Sequence, residues 1–259
     1  METDDTVLAE LVRMSRTLGD PAWDCAILGE GNTSAKIDDE TFYVKASGTQ
    51  LPTIKPEEFV RVRFDGVLKL LELEQATDEE IKEILMAATV DDTDLRPSVE
   101  TVMHALLLQL PDVNFVGHTH PTAVNAVLCS VGAEKALAGR LFPDEIVCCG
   151  PAYVWIPLTE PGPPLAREIR DRVDAFIQEH GFRPKTILMQ NHGLVALGAT
   201  VEEVLTITAM CVKTFRILLG TYALGGPNFL SEQLVQRLWT RPDEAYRHRL
   251  LTGRDIEEA

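Results

Sequence analysis

Val113-Asn-Phe-Val-Gly-His-Thr-His-Pro121 is the stretch on which the fold turns. It is an apolar extended run that ends at a proline, and Pro121 opens a helical pattern through Val124, Val127 and Leu128. A strand passing at once into a helix belongs to a layered α/β domain. Within the strand, His118 and His120 stand two apart, and residues i and i+2 project from one face. The two imidazoles therefore converge on one point, which suits a rigid element offering nitrogen ligands to a metal ion.

The surroundings extend the same pattern. Upstream, Pro97 is placed to start a helix through Val99, Val102, Met103, Leu106 and Leu110. Closer to the N-terminus, Leu8, Leu11, Val12 and Met14 have helical spacing, and residues 41–46 and 59–64 alternate like half-buried strands. Asp65-Gly66 predicts a hairpin turn into a third strand at 67–71. Downstream, residues 146–149 and 153–157 predict short strands, 164–179 a helix, and 186–197 a strand-turn-strand. Thr200, with Glu203 three residues on, caps a long helix to about residue 219.

Residues 72–94 are strongly acidic, with Thr77 and Glu80 forming a capping box for a solvated helix. After Gly225-Gly226-Pro227 a polar helical tail is expected from about residue 228 to the end. Strand pairs mixed with helices give one layered α/β domain over residues 1–259, rather than a purely parallel sheet.

The bulk composition narrows the partners. Hydrophobic residues at 45% supply a sizeable core, and aromatics at 6% leave its packing to aliphatic side chains. A net charge of −16 leaves no cationic excess to displace counterions from nucleic acid or to seek an anionic membrane surface. The acidic start lacks the basic and apolar regions of a secretory signal, and no apolar run approaches the roughly 20 residues of a membrane span. Five scattered cysteines, including adjacent Cys148 and Cys149 on the expected 146–149 strand, read as reduced thiols of a cytoplasmic protein.

A third histidine, His192, lies in Met189-Gln-Asn-His-Gly-Leu-Val195, where a strand turns. Three imidazoles leave a fourth coordination position open, as a catalytic zinc-like site needs. A histidine alone is ordinarily a hydrogen-bonded core or surface residue. His104, His180 and His248 show no comparable pairing, and His180 suits a helix C-terminus. Glu100 sits in the first turn of the expected Pro97 helix, where an acid can simply favour the helix dipole. Its segment leads into the His-x-His strand, however, so it could also carry a proton beside the metal. Gly31-Asn-Thr-Ser34 and Lys45-Ala-Ser-Gly-Thr49 resemble anion cradles, although Gly-Asn and Ser-Gly are also common turn pairs.

Taken in order, Gly31-Asn-Thr-Ser34, Ala46-Ser-Gly48, Pro97-Ser-Val-Glu100, His118-Thr-His120 and Asn191-His-Gly193 resemble the class II aldolase/adducin family. The resemblance spans roughly residues 8 to 230. It implies a three-layer α/β/α sandwich with a mixed, largely antiparallel sheet, and a homotetramer with active sites at subunit interfaces. It implies one divalent metal on His118, His120 and His192, chiefly Zn2+ with Co2+ or Mn2+ as alternatives, and Glu100 as acid/base. Gly31, Asn32, Ser47, Gly48 and Ser98 would touch the phosphate of a small phosphorylated sugar or related carbonyl substrate. Val99 stands where the aldolase pattern often has a second serine, so that pocket has one hydroxyl fewer. The implied reaction is cleavage of a ketose 1-phosphate to dihydroxyacetone phosphate and an aldehyde through an enediolate. Relatives with the same centre act as 3-oxo acid phosphate decarboxylases, sugar-phosphate dehydratases or epimerases. An adducin-like binding protein without catalysis is the rival of a different class.

Overall fold

The computed structural model describes residues 4–73 and 75–252. Glu74 of the acidic stretch and residues 253–259 of the expected tail lie outside the described residues, as does the side chain of His248.

The chain opens with α1 (Asp4–Leu18), followed by β1 (Asn32–Lys36), β2 (Thr41–Lys45) and β3 (Phe59–Arg63). Helices α2 (Phe64–Leu68), α3 (Asp78–Ala87) and α4 (Thr101–Leu107) lead to β4 (Phe115–Thr119). Next come α5 (Thr122–Leu128), α6 (Ala133–Ala136), α7 (Pro143–Cys149) and β5 (Val154–Ile156). The remainder is α8 (Pro163–His180), β6 (Thr186–Met189), β7 (Gly193–Gly198), α9 (Val201–Tyr222), α10 (Glu232–Trp239) and α11 (Pro242–Thr252).

The strands form one sheet in the order β3-β2-β1-β4-β7-β6-β5, in which only the β5–β6 pair is parallel. Alternation sends Phe42, Val44, Val116 and Val195 to one face, where they pack on α2, α3, α4 and α8 through Phe64, Ile81, Met103 and Ile169. On the other face, Ala35, Phe115 and Ala196 meet α1 and the first half of α9. Leu188 and Leu194 meet α5, α7 and the second half of α9. The result is the mixed, largely antiparallel α/β/α sandwich that the resemblance implied. Among the described helices α9 is long and apolar enough by length and composition to cross a membrane, although no such run was expected. Here Val204, Ile207, Cys211 and Phe215 form the face that packs on the sheet and the neighbouring helices.

Several expected elements take another form. Residues 64–71 are not a hairpin and strand but α2 followed by a 3-10 turn over Lys69–Leu71. Phe64, Val67 and Leu70 recur every three residues and are all buried, so the helical period prevails. Gly66 serves close packing, since a Cβ there would fall 2.7 Å from the Cβ of Ala88. Residues 146–149 are likewise the end of α7, which starts at Pro143 with Asp144 and Glu145 in its first turn and stops at Gly150 with φ 94°. Cys148 and Cys149 are buried there, and all five cysteines are free.

The helix expected from Pro97 begins only at Thr101. Pro97 instead bridges to Ala46, and Glu100 takes the position just before the helix. Val99 is therefore exposed rather than packed in the core. The acidic stretch forms α3, capped by Thr77 and Glu80, with only Ile81 and Leu85 buried. Within the C-terminal part, α10 is amphipathic rather than simply polar. Val235 and Leu238 of α10 pack on Ile146, and the Trp239 ring lies tilted 5.3 Å from that of Phe182.

Candidate metal centre and acid/base site

The site forms where β1, β4, the β6–β7 turn and the start of α4 meet. In β4, His118 pairs laterally with Asn32 of β1 and Val195 of β7, so Asn32 and His118 share one face. His120 follows the strand and is held by its backbone N–H, which donates to the Cys25 carbonyl at 2.8 Å. His192 stands in the tight β6–β7 turn. Asn191 is left-handed there at φ 54°, and Asn125 donates to the His192 carbonyl at 2.9 Å. Gly31, at φ 68°, has the carbonyl oxygen of His118 only 2.6 Å from where a Cβ would sit.

The three imidazoles converge. Each offers one ring nitrogen, and these atoms all lie within 4.8 Å of one another. His118 Nε2 and His120 Nε2 are 3.0 Å apart. Burial is the main cause that pushes both rings down to about 4, so they are neutral near pH 7 and present lone pairs rather than charge. Nδ1 of His118 donates to the Leu194 carbonyl at 3.0 Å, which leaves Nε2 bare and facing its partners. Glu30 adds a carboxylate 3.9 Å from Nδ1 of His120. Neutral nitrogens, a fixed tautomer and an outer carbonyl fit a divalent ion such as zinc.

Glu100 closes the group. Its Oε1 is 2.9 Å from His192 Nε2 and its Oε2 is 3.6 Å from His118 Nε2. Asn32 donates to Oε2 at 2.6 Å. Burial alone would raise the carboxyl, but the two histidines and the Asn32 bond outweigh it and hold it well below the usual carboxylate range. Glu100 is thus an anion at neutral pH. A buried cation, Lys45, ends β2 with Nζ 3.5 Å from the Gly29 carbonyl; burial lowers its pKa against the pull of Glu100.

The histidines, Glu100 and Asn32 therefore come together as the sequence suggested, and Gly31 lies against them. Ser47, Gly48 and Ser98 flank the Ala46–Pro97 bridge beside the cluster. Ser47 N–H is spent on the Arg96 carbonyl, and Ser98 Oγ accepts from the Glu100 N–H at 3.3 Å. The sequence reading set His104 aside, yet it is fully buried in this site and bonded to Ser34 and Asn32. Its spacing, one helical turn after Glu100, was the available signal.

A model of the class II aldolase and adducin N-terminal domain matches residues 9–219. The chain belongs to this family. The enzymes of this family are metal-dependent, and the histidine cluster of this chain could hold such an ion. A Bacillus subtilis protein named as an uncharacterized oxidoreductase, YuxG, is 32% identical over 201 residues. That match covers 74% of this chain but only 27% of the much longer relative. The methylthioribulose-1-phosphate dehydratase of Microcystis aeruginosa is 27% identical, with 74% of this chain and 85% of the relative covered. Among solved structures, an L-fuculose 1-phosphate aldolase superposes with a TM-score of 0.67 over 95% of this chain and 98% of its own. At 17% identity that likeness shows the fold alone.

Proposed function

We propose that this chain is a metal-dependent lyase of ketose 1-phosphates, splitting them by retro-aldol cleavage into dihydroxyacetone phosphate and an aldehyde. The observation that carries the proposal is one ionised carboxylate, Glu100, 2.9 Å from His192 at the edge of three converging histidines. An ion held by His118, His120 and His192, with Zn2+ proposed first and Co2+ or Mn2+ next, would supply Lewis-acid stabilisation of negative charge developing on a substrate oxygen.

Glu100 is the proposed acid/base. Ionised at rest, it takes a hydroxyl proton from the bound substrate and returns it to the carbon beside the carbonyl once the carbon–carbon bond has parted. A second group takes the proton of the C4 hydroxyl as the aldehyde leaves and passes it to the oxygen that Glu100 deprotonated, so that both groups return to their starting states. Gly31, Asn32, Ser47, Gly48 and Ser98 are the proposed phosphate contacts. Lys45 joins them as a buried positive charge close to the carboxylate. Through the same resemblance we propose a single-domain homotetramer located in the cytoplasm.

Dehydration is the second reading, favoured by the 27% identity to a dehydratase along 85% of its length. In that reaction Glu100 would remove the proton from the same carbon while hydroxide leaves the next one, so the two readings differ only in which bond breaks. Protein incubated with zinc, freed of excess metal and mixed with fuculose 1-phosphate or methylthioribulose 1-phosphate separates them. Dihydroxyacetone phosphate among the products supports the aldolase. Loss of water with no carbon–carbon cleavage replaces it by the dehydratase, and no turnover together with no bound metal would leave the non-catalytic, adducin-like role.

A further inference from the structure

β1 and α4 meet through two matched pairs. Asn32 and Ser34 stand two apart on the strand and face the same way, while Glu100 and His104 stand one helical turn apart. Ser34 Oγ lies 2.7 Å from His104 Nδ1, and His104 Nε2 bonds Asn32 Oδ1. Asn32 Nδ2 donates to Glu100 Oε2 at 2.6 Å. Ser34 and His104 are wholly buried and Asn32 nearly so, which shields the chain of bonds from water.

Every proton in this chain is fixed from one end. An ionised Glu100 can only accept, so Asn32 must turn its NH2 toward the carboxylate and its carbonyl toward His104. That carbonyl accepts too, so His104 carries its proton on Nε2, and the bare Nδ1 takes the Ser34 hydroxyl. The ring is neutral because burial pushes His104 down to about 4, and a neutral ring that donates from Nε2 leaves Nδ1 bare. With the ring turned or removed, Asn32 Oδ1 loses the donor that anchors it, and the amide is free to rotate off the carboxylate. Glu100 would then swing away from His192.

We propose that His104 is a positioning residue: it locks the Asn32 amide with its NH2 on Glu100, and thereby aims that carboxylate at the histidine cluster. The orientation stands on geometry alone, whereas its effect on rate rests on the proton-carrying role proposed for Glu100.

Long-range proton–nitrogen NMR of the unmutated protein as purified reads the orientation without any substrate. The expected result is the Nε2–H tautomer for His104, with Asn32 side-chain amide protons in slow exchange. His104→Leu should release those protons. His104→Gln should keep them, because its amide can donate to Asn32 and accept from Ser34. In turnover of a ketose 1-phosphate, His104→Leu should lower kcat roughly 10- to 100-fold, as loss of outer partners does. Zinc content should stay near normal, with most of the rate restored by Gln. The Nδ1–H tautomer, or Asn32 signals identical in the unmutated and His104→Leu proteins, would overturn the proposal. If His104→Leu does not fold, the tautomer of the unmutated protein decides by itself. A correct tautomer and protected Asn32 amide in a protein with no turnover support the positioning and count against the proposed function.

Discussion

Gly193 and His120 are packed so tightly that a Cβ on the glycine would lie 2.7 Å from Cδ2 of the imidazole, with the Thr119 carbonyl at 2.6 Å. The backbone of the β6–β7 turn is thus the wall against which the histidines are set. Gly193→Ala should push His120 out of line and weaken zinc binding by roughly tenfold or more. Zinc measured after dialysis against graded chelator checks this; unaltered retention would show that the turn does not set the cluster.

Metal binding and proton transfer should separate by residue. His118→Ala removes a proposed ligand and should abolish stoichiometric metal. Glu100→Gln keeps the shape and the three histidines, so metal should remain while turnover falls about 10²- to 10⁴-fold. Metal content and kcat determined on the same preparations decide this, and a Glu100→Gln enzyme of undiminished rate would remove the carboxylate from the chemistry.

Acid should unfold the metal-free protein through its histidines. His104, His118 and His120 are all held near 4, so the unfolded chain, with rings near 6.5, takes up protons first as pH falls. Stability is therefore complete above about pH 6.5 and is lost between there and pH 4. The loss is on the order of 3 kcal/mol for a fully buried ring. Glu100, whose folded pKa is also depressed, adds a loss of the same sign at still lower pH. Urea midpoints with chelator at pH 7.5, 5.5 and 4.5 should decline in that order, and a level series would contradict the buried neutral rings.

Gly66 offers a test of the helix that replaces the expected hairpin. Its absent side chain leaves room for Ala88, so Gly66→Ala should cost about 1–3 kcal/mol through overpacking. Ala88→Gly in the same molecule should recover part of that loss, and the two changes should not be additive. Simple additivity in chemical denaturation would argue that the two residues are not in contact.

The elements the sequence makes plain are those whose residues interact with near neighbours. His118 and His120 disclose their common face by a spacing of two, and Thr77 with Glu80 announces the start of α3. Short apolar stretches are ambiguous by nature. Residues 146–149 suit either a strand or the last turn of a helix, and only Pro143 and the acids after it favour α7. Asp65-Gly66 resembles a turn because glycine permits one, but the demand at Gly66 comes from Ala88, which spacing along the chain does not express. Pro97 lacks a donor N–H, which suits the bridge to Ala46 as well as a helix start. His104 went unrecognised for a similar reason. Its partners Ser34 and Asn32 lie some seventy positions away, and their approach depends on how α4 settles on β1.

The groups that gather around the candidate metal centre are drawn from Asn32 through His192, and β1 and β4 become neighbours only after the intervening chain has closed into a long loop. Such contacts form late and slowly, because the entropy of closing the loop is spent before any of them is gained. The histidine cluster cannot exist in a half-assembled chain, so capture of an ion would draw the folding equilibrium toward completion, and a chelator would act on this protein as a mild denaturant.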